Sequence, residues 1–166
     1  MQTLINAFSK ISKEGRSKLV IVGDGVQKNE LEKLVRSLNL ENMVHFLGKR
    51  RDIPELLHAI DAFALTSKYE GLGLVLLEAL ASEVPIIAAR NSAIKEIVND
   101  EVALMFETSS VSDLEKAMRD LINDPNETSH RVQRGNIRVQ QKFGVDSMLN
   151  GTEKVYSSIL ERNREQ

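Results

Sequence analysis

The run Ser67-Lys68-Tyr69-Glu70-Gly71-Leu72-Gly73-Leu74-Val75-Leu76-Leu77-Glu78-Ala79-Leu80-Ala81 holds two carboxylates with seven residues between them. Two glycines follow the first carboxylate, and the second rides on a stretch that is apolar at nearly every position. Glycine at a loop-to-helix junction lets backbone N–H groups approach a ligand closely, and a helix N-terminus favours negative charge. The pattern predicts a loop bearing Glu70, then an anion site at Gly71, Leu72 and Gly73 with the amides of Leu74 and Val75. Glu78 falls about a turn and a half inside the following helix, roughly 8 Å along its axis. A ligand with a phosphate in its middle and hydroxyls at both ends fits that spacing, as a nucleotide-sugar does.

Outward from this run, short β-branched stretches alternate with helical periodicity. That alternation predicts an α/β fold, a Rossmann-like parallel sheet with flanking helices. The strand candidates are residues 19–22, 43–46, 62–65, 85–88 and 102–105, and their continuous apolar character suits burial on both faces. Leu31, Leu34, Val35 and Leu38 recur at helical spacing, with Asn29 and Glu32 as a capping pair. Asp52 is placed to cap a short helix through Pro54 and Leu57. Ser110 and Asp113 stand at capping-box spacing before Leu114, Ala117, Met118 and Leu121. Asp124-Pro125-Asn126 ends that helix, since proline cannot continue it. Two further helices follow, broken near Phe143-Gly144-Val145-Asp146. At the other end, Leu4, Ile5, Phe8 and Ile11 form a helical stripe that no strand precedes. The whole of residues 1–166 reads as one domain.

The composition narrows the function classes. A net charge of -2 offers no basic stripe for nucleic acid. No apolar run approaches the roughly 20 residues of a membrane span. Nor does the N-terminus show the basic and apolar regions of a signal peptide. With no cysteine there is no disulfide framework, thiolate catalysis or cysteine zinc site. His45, His58 and His130 are isolated from one another, and no metal-binding triad accompanies them. His45 alternates inside a strand and His58 lies on a short amphipathic helix, so both suit structural roles. These features fit a cytoplasmic protein, free or held peripherally at the inner face of a membrane.

The chain resembles the retaining GT-B glycosyltransferases, most closely family 4, whose signature is two glutamates at this spacing. Four further blocks carry the resemblance in family order: Leu19-Val20-Ile21-Val22-Gly23-Asp24-Gly25, Val44-His45-Phe46-Leu47-Gly48, Ala59-Ile60-Asp61-Ala62-Phe63-Ala64-Leu65-Thr66-Ser67, and Val84-Pro85-Ile86-Ile87-Ala88. The resemblance covers roughly residues 1 to 160 and implies the C-terminal, donor-binding half of a two-domain enzyme. In the family a strand, a Gly-Arg turn and a lysine precede the helix with which this chain begins. The strand, those diphosphate-gripping residues and the N-terminal acceptor domain are expected as missing partners. The implied reaction moves a sugar from a UDP- or GDP-sugar to a glycan, lipid or small-molecule acceptor, with no essential metal and no cofactor. This chain alone is expected to be inactive in transfer.

By resemblance, the Glu70 carboxylate accepts hydrogen bonds from donor-sugar hydroxyls near the reacting carbon, and Glu78 accepts both hydroxyls of a ribose diol. An ionised carboxylate is a strong acceptor for two neighbouring hydroxyls. Physical chemistry alone leaves Glu70 a solvated loop charge or helix-end charge, and Glu78 either paired or on the one wet face of its helix. Gly23 and Gly25 shape a strand-end turn that lines the donor cleft, in keeping with ligand binding at the carboxyl ends of parallel strands. Gly48, Lys49 and Arg50 resemble the nucleobase loop, and Ser67 and Lys68 flank the signature. The Gly71-Leu72-Gly73 pattern lacks the third glycine and the first-strand position of a dinucleotide fingerprint. Three departures from the family stand out. Glu83 occupies a common glycine position before Val84-Pro85, Asn91-Ser92-Ala93 replaces a glycine-rich turn, and Val102-Ala103 replaces another glycine. A non-catalytic module that binds nucleotide or a partner is the rival reading. The stripe Met148, Val155, Tyr156, Ile159 and Leu160 fits either packing on this domain's own sheet or return to a second domain.

Overall fold

A computed structural model describes residues 1–14, 17–71 and 73–162. The elements run α1 (Gln2–Ile11), a 3₁₀ turn (Ser12–Glu14), β1 (Leu19–Val22), α2 (Lys28–Ser37), β2 (Val44–Gly48), α3 (Ile53–His58) and β3 (Phe63–Leu65). Then come α4 (Leu74–Ala81), β4 (Ile86–Ala89), α5 (Ser92–Ile97), β5 (Leu104–Phe106), α6 (Val111–Asn123), α7 (Pro125–Phe143) and α8 (Val145–Arg162). The five strands lie within two residues of the predicted ranges.

All pairing is parallel, but among the described residues it forms two sheets rather than one. β1 pairs with β2, and β3, β4 and β5 pair in that order. Leu19 stands opposite Val44, Phe63 opposite Ile86, and Ile87 opposite Leu104. One edge each of β1, β2, β3 and β5 is thus left without a ladder partner among the described residues. A single hydrophobic cluster nevertheless joins the sheets: Ile21 of β1 and Ile87, Ala89 and Phe106 of the second sheet share it with α1, α2 and α6.

The apolar run of β4 explains the layering. Successive strand residues point to opposite faces, and all four residues of β4 are buried. Ile87 and Ala89 enter the cluster under α1 and α6, whereas Ile86 and Ala88 enter a second cluster with Leu57, Leu76, Leu80, Ile94 and Ile97. Helices therefore cover both faces of this sheet. The expectation of two-sided burial fails for β1, where Val20 and Val22 are 38% and 39% exposed while Ile21 is buried.

Helix ends follow local chemistry with two corrections. Ser110 Oγ accepts the Asp113 amide, and Asp124 caps α7 by accepting the Glu127 amide with Pro125 in the first turn. The Asn29–Glu32 pair does not cap α2, because that helix already starts at Lys28 with Gln27 before it. Asp52 precedes α3 but makes no capping bond, since its carboxylate binds Arg50.

Helix α7 is the brace that sequence reading missed. Arg131, Arg134 and Arg138 lie on one side of it, at spacings of three and four residues. Arg138 donates to the carbonyls of Ile97 (2.6 Å) and Glu96 (3.0 Å), Arg134 to Glu101 (2.7 Å), and Arg131 to Asp100 and to Ala103 (3.1 Å). These bonds satisfy carbonyls left over at the end of α5 and in the turn before β5. Helix α8, by contrast, has no buried residue: Met148, Val155, Tyr156, Ile159 and Leu160 are all at least half exposed. The stripe does not pack on this domain's sheets.

Candidate functional site

Parallel pairing places the carboxyl ends of β1, β2, β3 and β4 in the loops that contain the predicted residues. Gly23 and Gly48 close the first pair of strands together. Gly23 has φ +120° and Gly48 φ +65°, and the Gly23 amide donates to the Gly48 carbonyl at 2.8 Å. Both glycines sit in the left-handed region that side chains with a Cβ rarely adopt. Asp24 then turns the chain by accepting the Gly25 amide at 3.0 Å. Gly25 itself needs no positive φ among the described residues.

The loop after β2 changes one expectation. Lys49 and Arg50 are exposed, but the Arg50 guanidinium binds both carboxylate oxygens of Asp52, at 2.8 and 2.5 Å. That hydrogen bond holds the Asp52 carboxyl below the usual carboxylate range and raises the arginine. Arg50 is therefore engaged within its own loop, and Lys49 and Arg51 are left as the basic side chains of this turn that make no ion pair among the described residues.

The signature loop begins at Ser67, whose carbonyl accepts a hydrogen bond from Asn91 Nδ2 at 3.0 Å. Lys68 is exposed. Burial first, and repulsion from Lys68 second, lower the pKa of the Met1 amino group. Glu70 is half-buried, Gly71 is exposed, and Leu72 lies outside the described residues. Gly73 is buried with φ 65° and ψ 41°, a left-handed N-cap for α4. The glycine requirement holds at Gly73 and not at Gly71.

Among the described residues no side chain caps α4. Its first-turn amides, including those of Leu74 and Val75, lie at an N-terminus whose partial positive charge is unneutralised by any acidic residue in the first turn. Glu78 sits one turn beyond Leu74 and is exposed. Leu74, Glu78 and Ala81 form the exposed stripe of α4, while Leu76, Ala79 and Leu80 are buried. The helix is thus apolar all round by composition yet has one open side, and Glu78 is on it. Neither Glu70 nor Glu78 has an ion-pair partner among the described residues. Both carboxylates are available to a ligand.

Beyond β4 lies a residue that the sequence reading passed over. Arg90 binds both oxygens of Asp100, at 2.9 and 2.5 Å, and approaches Glu107 at 3.3 Å. Its carbonyl accepts the Thr108 hydroxyl at 2.8 Å. The end of β4 is pinned to the end of β5 by these bonds. Asn91, next in sequence, caps α5 through its side-chain oxygen.

Other features add no second site. No cluster of metal-ligating side chains is found among the described residues, and none of their helices is long and apolar enough to cross a membrane. A surface depression of about 470 Å³ runs along α8 from Asn150 to Glu161 and is lined by that helix alone.

Comparison with known proteins places this architecture. Residues 1–138 match the family model of glycosyl transferases group 1. N-acetyl-alpha-D-glucosaminyl L-malate synthase of Bacillus anthracis is 32% identical over 161 residues, covering 96% of this chain and 42% of that protein. The chain thus spans less than half the length of that relative. The structure of Anabaena HepE in complex with UDP-glucose superposes with a TM-score of 0.85 at 29% identity, covering 94% of this chain and 44% of that one. The C-terminal domain of a glycosyl transferase group 1 family protein (LpcC) from Francisella tularensis gives a TM-score of 0.78 at 29% identity. There the match covers 87% of this chain and 79% of the other. The fold is the Rossmann-like half of a GT-B architecture, and the chain belongs to the group 1 glycosyltransferases.

Proposed function

We propose that this chain binds the nucleotide-sugar donor for retaining glycosyl transfer from a UDP- or GDP-sugar to an acceptor. The observation that carries the reading is the uncapped start of α4 at left-handed Gly73, flanked by half-buried Glu70 and exposed Glu78. The diphosphate would lie against the amides of Gly73, Leu74 and Val75, where the helix end favours negative charge. Glu78 would hold the ribose diol and Glu70 the sugar hydroxyls beside the reacting carbon. Gly23, Gly25, Gly48 and Lys49 would line the nucleobase side. HepE binding UDP-glucose supports the ligand class.

Catalysis on this reading is positioning and electrostatic stabilisation of the departing diphosphate. Glu70 orients the sugar, and the α4 amides take up charge as the bond to the diphosphate breaks. The acceptor would come from a second domain. The unpaired edges of β1 and β3 are in keeping with a strand supplied from outside this chain, and the bare apolar side of α8 with a second domain against it. The chain alone would then bind donor weakly and transfer none.

The test is titration of the ¹⁵N-labelled chain with UDP, GDP, UDP-glucose and GDP-mannose. Shifts concentrated in Gly71–Glu78 and in the Gly23 and Gly48 turns support the reading. Shifts absent from α4 with every ligand would favour the rival, a module that binds a partner and no donor.

A further inference from the structure

Helix α5 touches the glutamate loop at both of its ends. At the start, Asn91 Oδ1 accepts the Ile94 amide at 3.0 Å and caps α5. The same side chain donates from Nδ2 to the Ser67 carbonyl, 24 residues away, at 3.0 Å. At the finish, fully buried Ile97 lies under Gly73, its Cδ1 3.6 Å from the position of a Cβ on that glycine. Ser67 and Gly73 bracket the loop that carries Glu70. The end of α5 is in turn fixed to α7, where Arg138 binds the carbonyls of Ile97 and Glu96.

We propose that Asn91 is a positioning residue for the donor site, holding the Ser67–Gly71 segment so that Glu70 faces the sugar half of the ligand. The inference rests on the reading of Glu70 given above. The chemistry is specific to an amide. One side chain must accept from a helix N–H and donate to a carbonyl, and a primary amide does both at once. Aspartate keeps the cap but cannot donate, and it sets a negative oxygen beside the Ser67 carbonyl. Glu78 sits on α4, outside the bracket, so the nucleotide half of the ligand is insulated from Asn91.

The experiment compares wild type with Asn91→Asp, using Glu70→Gln as a reference. Amide exchange and ¹⁵N relaxation are followed in the free protein, and affinities for UDP and UDP-glucose, GDP and GDP-mannose are measured by titration. In Asn91→Asp the Ile94 and Val98 amides stay protected from exchange, which shows that α5 is intact. The ¹⁵N order parameters of Ser67–Gly71 fall below those of wild type, towards the values below about 0.6 of a flexible loop. Affinity for the bare nucleotide holds, while the advantage of the sugar-bearing ligand over it falls roughly fivefold, the effect of losing one neutral hydrogen bond. Unchanged order in Ser67–Gly71 with α5 intact overturns the proposal, as does an equal loss for nucleotide and nucleotide-sugar. If Glu70→Gln leaves that advantage unmoved, the reading of Glu70 fails, and the relaxation result alone judges Asn91.

Discussion

Gly135 of α7 packs so closely on Leu80 of α4 that a Cβ added to it would lie 2.7 Å from Leu80 Cδ2. Val102 closes the other side, its Cβ 3.8 Å away. In an exposed helix, glycine to alanine stabilises by about 1 kcal/mol. Here Leu80 is buried and has little room to retreat, and overpacking costs about 1–3 kcal/mol. Steric cost should win. Gly135→Ala is expected to lower stability by about 1 kcal/mol in urea unfolding, and Leu80→Ala in the same chain should recover part of the clash. A stabilised Gly135→Ala would contradict the packing.

Glu83 has φ +56°, the left-handed region, at the turn between α4 and β4. For a residue with a Cβ that conformation costs about 1–2 kcal/mol. Against it stands one exposed hydrogen bond from Asn136 Nδ2 to Glu83 Oε1 at 2.5 Å. Glu83→Gly should therefore stabilise the fold by up to about 1 kcal/mol, with Asn136→Ala as the control for the lost bond. Thermal unfolding reads the result, and a drop in Tm for Glu83→Gly beyond that of Asn136→Ala would refute the strain argument.

The Arg90–Asp100 pair predicts an acid dependence. Hydrogen bonding from Arg90 holds the Asp100 carboxyl below its ordinary value, with burial opposing. A carboxyl depressed in the folded state contributes stability in full above its unfolded value, about 3.9. That contribution is lost as the pH falls through the lower folded value. The stability gap between wild type and Asp100→Asn should hold from neutral pH to about 5 and close below about 4. Because Asp100 is mostly exposed, the gap is small. A gap that is constant down to the acid transition would show that the pair does not couple to folding.

Much of this fold is written in local chemistry. The run Ile86-Ile87-Ala88-Ala89 announces a strand covered on both sides, and it is one. The stripe Leu4, Ile5, Phe8, Ile11 predicts the buried side of α1, and the Ser110 cap forms as its spacing requires. What escaped depends on partners distant in sequence. Nothing near Gly135 signals Leu80, and nothing in α7 itself signals that its arginines meet the carbonyls of residues 96–103. Asn91 looked like a lost glycine turn, whereas its amide bridges to Ser67. Asp52 chose Arg50 over its helix because a charged side-chain partner two residues away outcompeted a cap. At the site, the position of Gly73 was legible because glycine adopts a left-handed helix start without strain. The exposure of Glu78 is one of the two alternatives its apolar neighbours left open, and Leu74, Glu78 and Ala81 fall on one side of the helix at spacings of four and three.

The most direct test of the account is the binding of nucleotide and nucleotide-sugar to Glu78→Gln and Glu70→Gln. A hydrogen bond to a charged group is worth about 1.5–3 kcal/mol. If Glu78 holds the ribose diol, Glu78→Gln should weaken UDP and UDP-glucose, or GDP and GDP-mannose, together by roughly ten- to a hundredfold. Glu70→Gln should weaken only the sugar-bearing member of each pair. Wild-type affinity of Glu78→Gln for the nucleotide would show that this carboxylate does not hold the ribose.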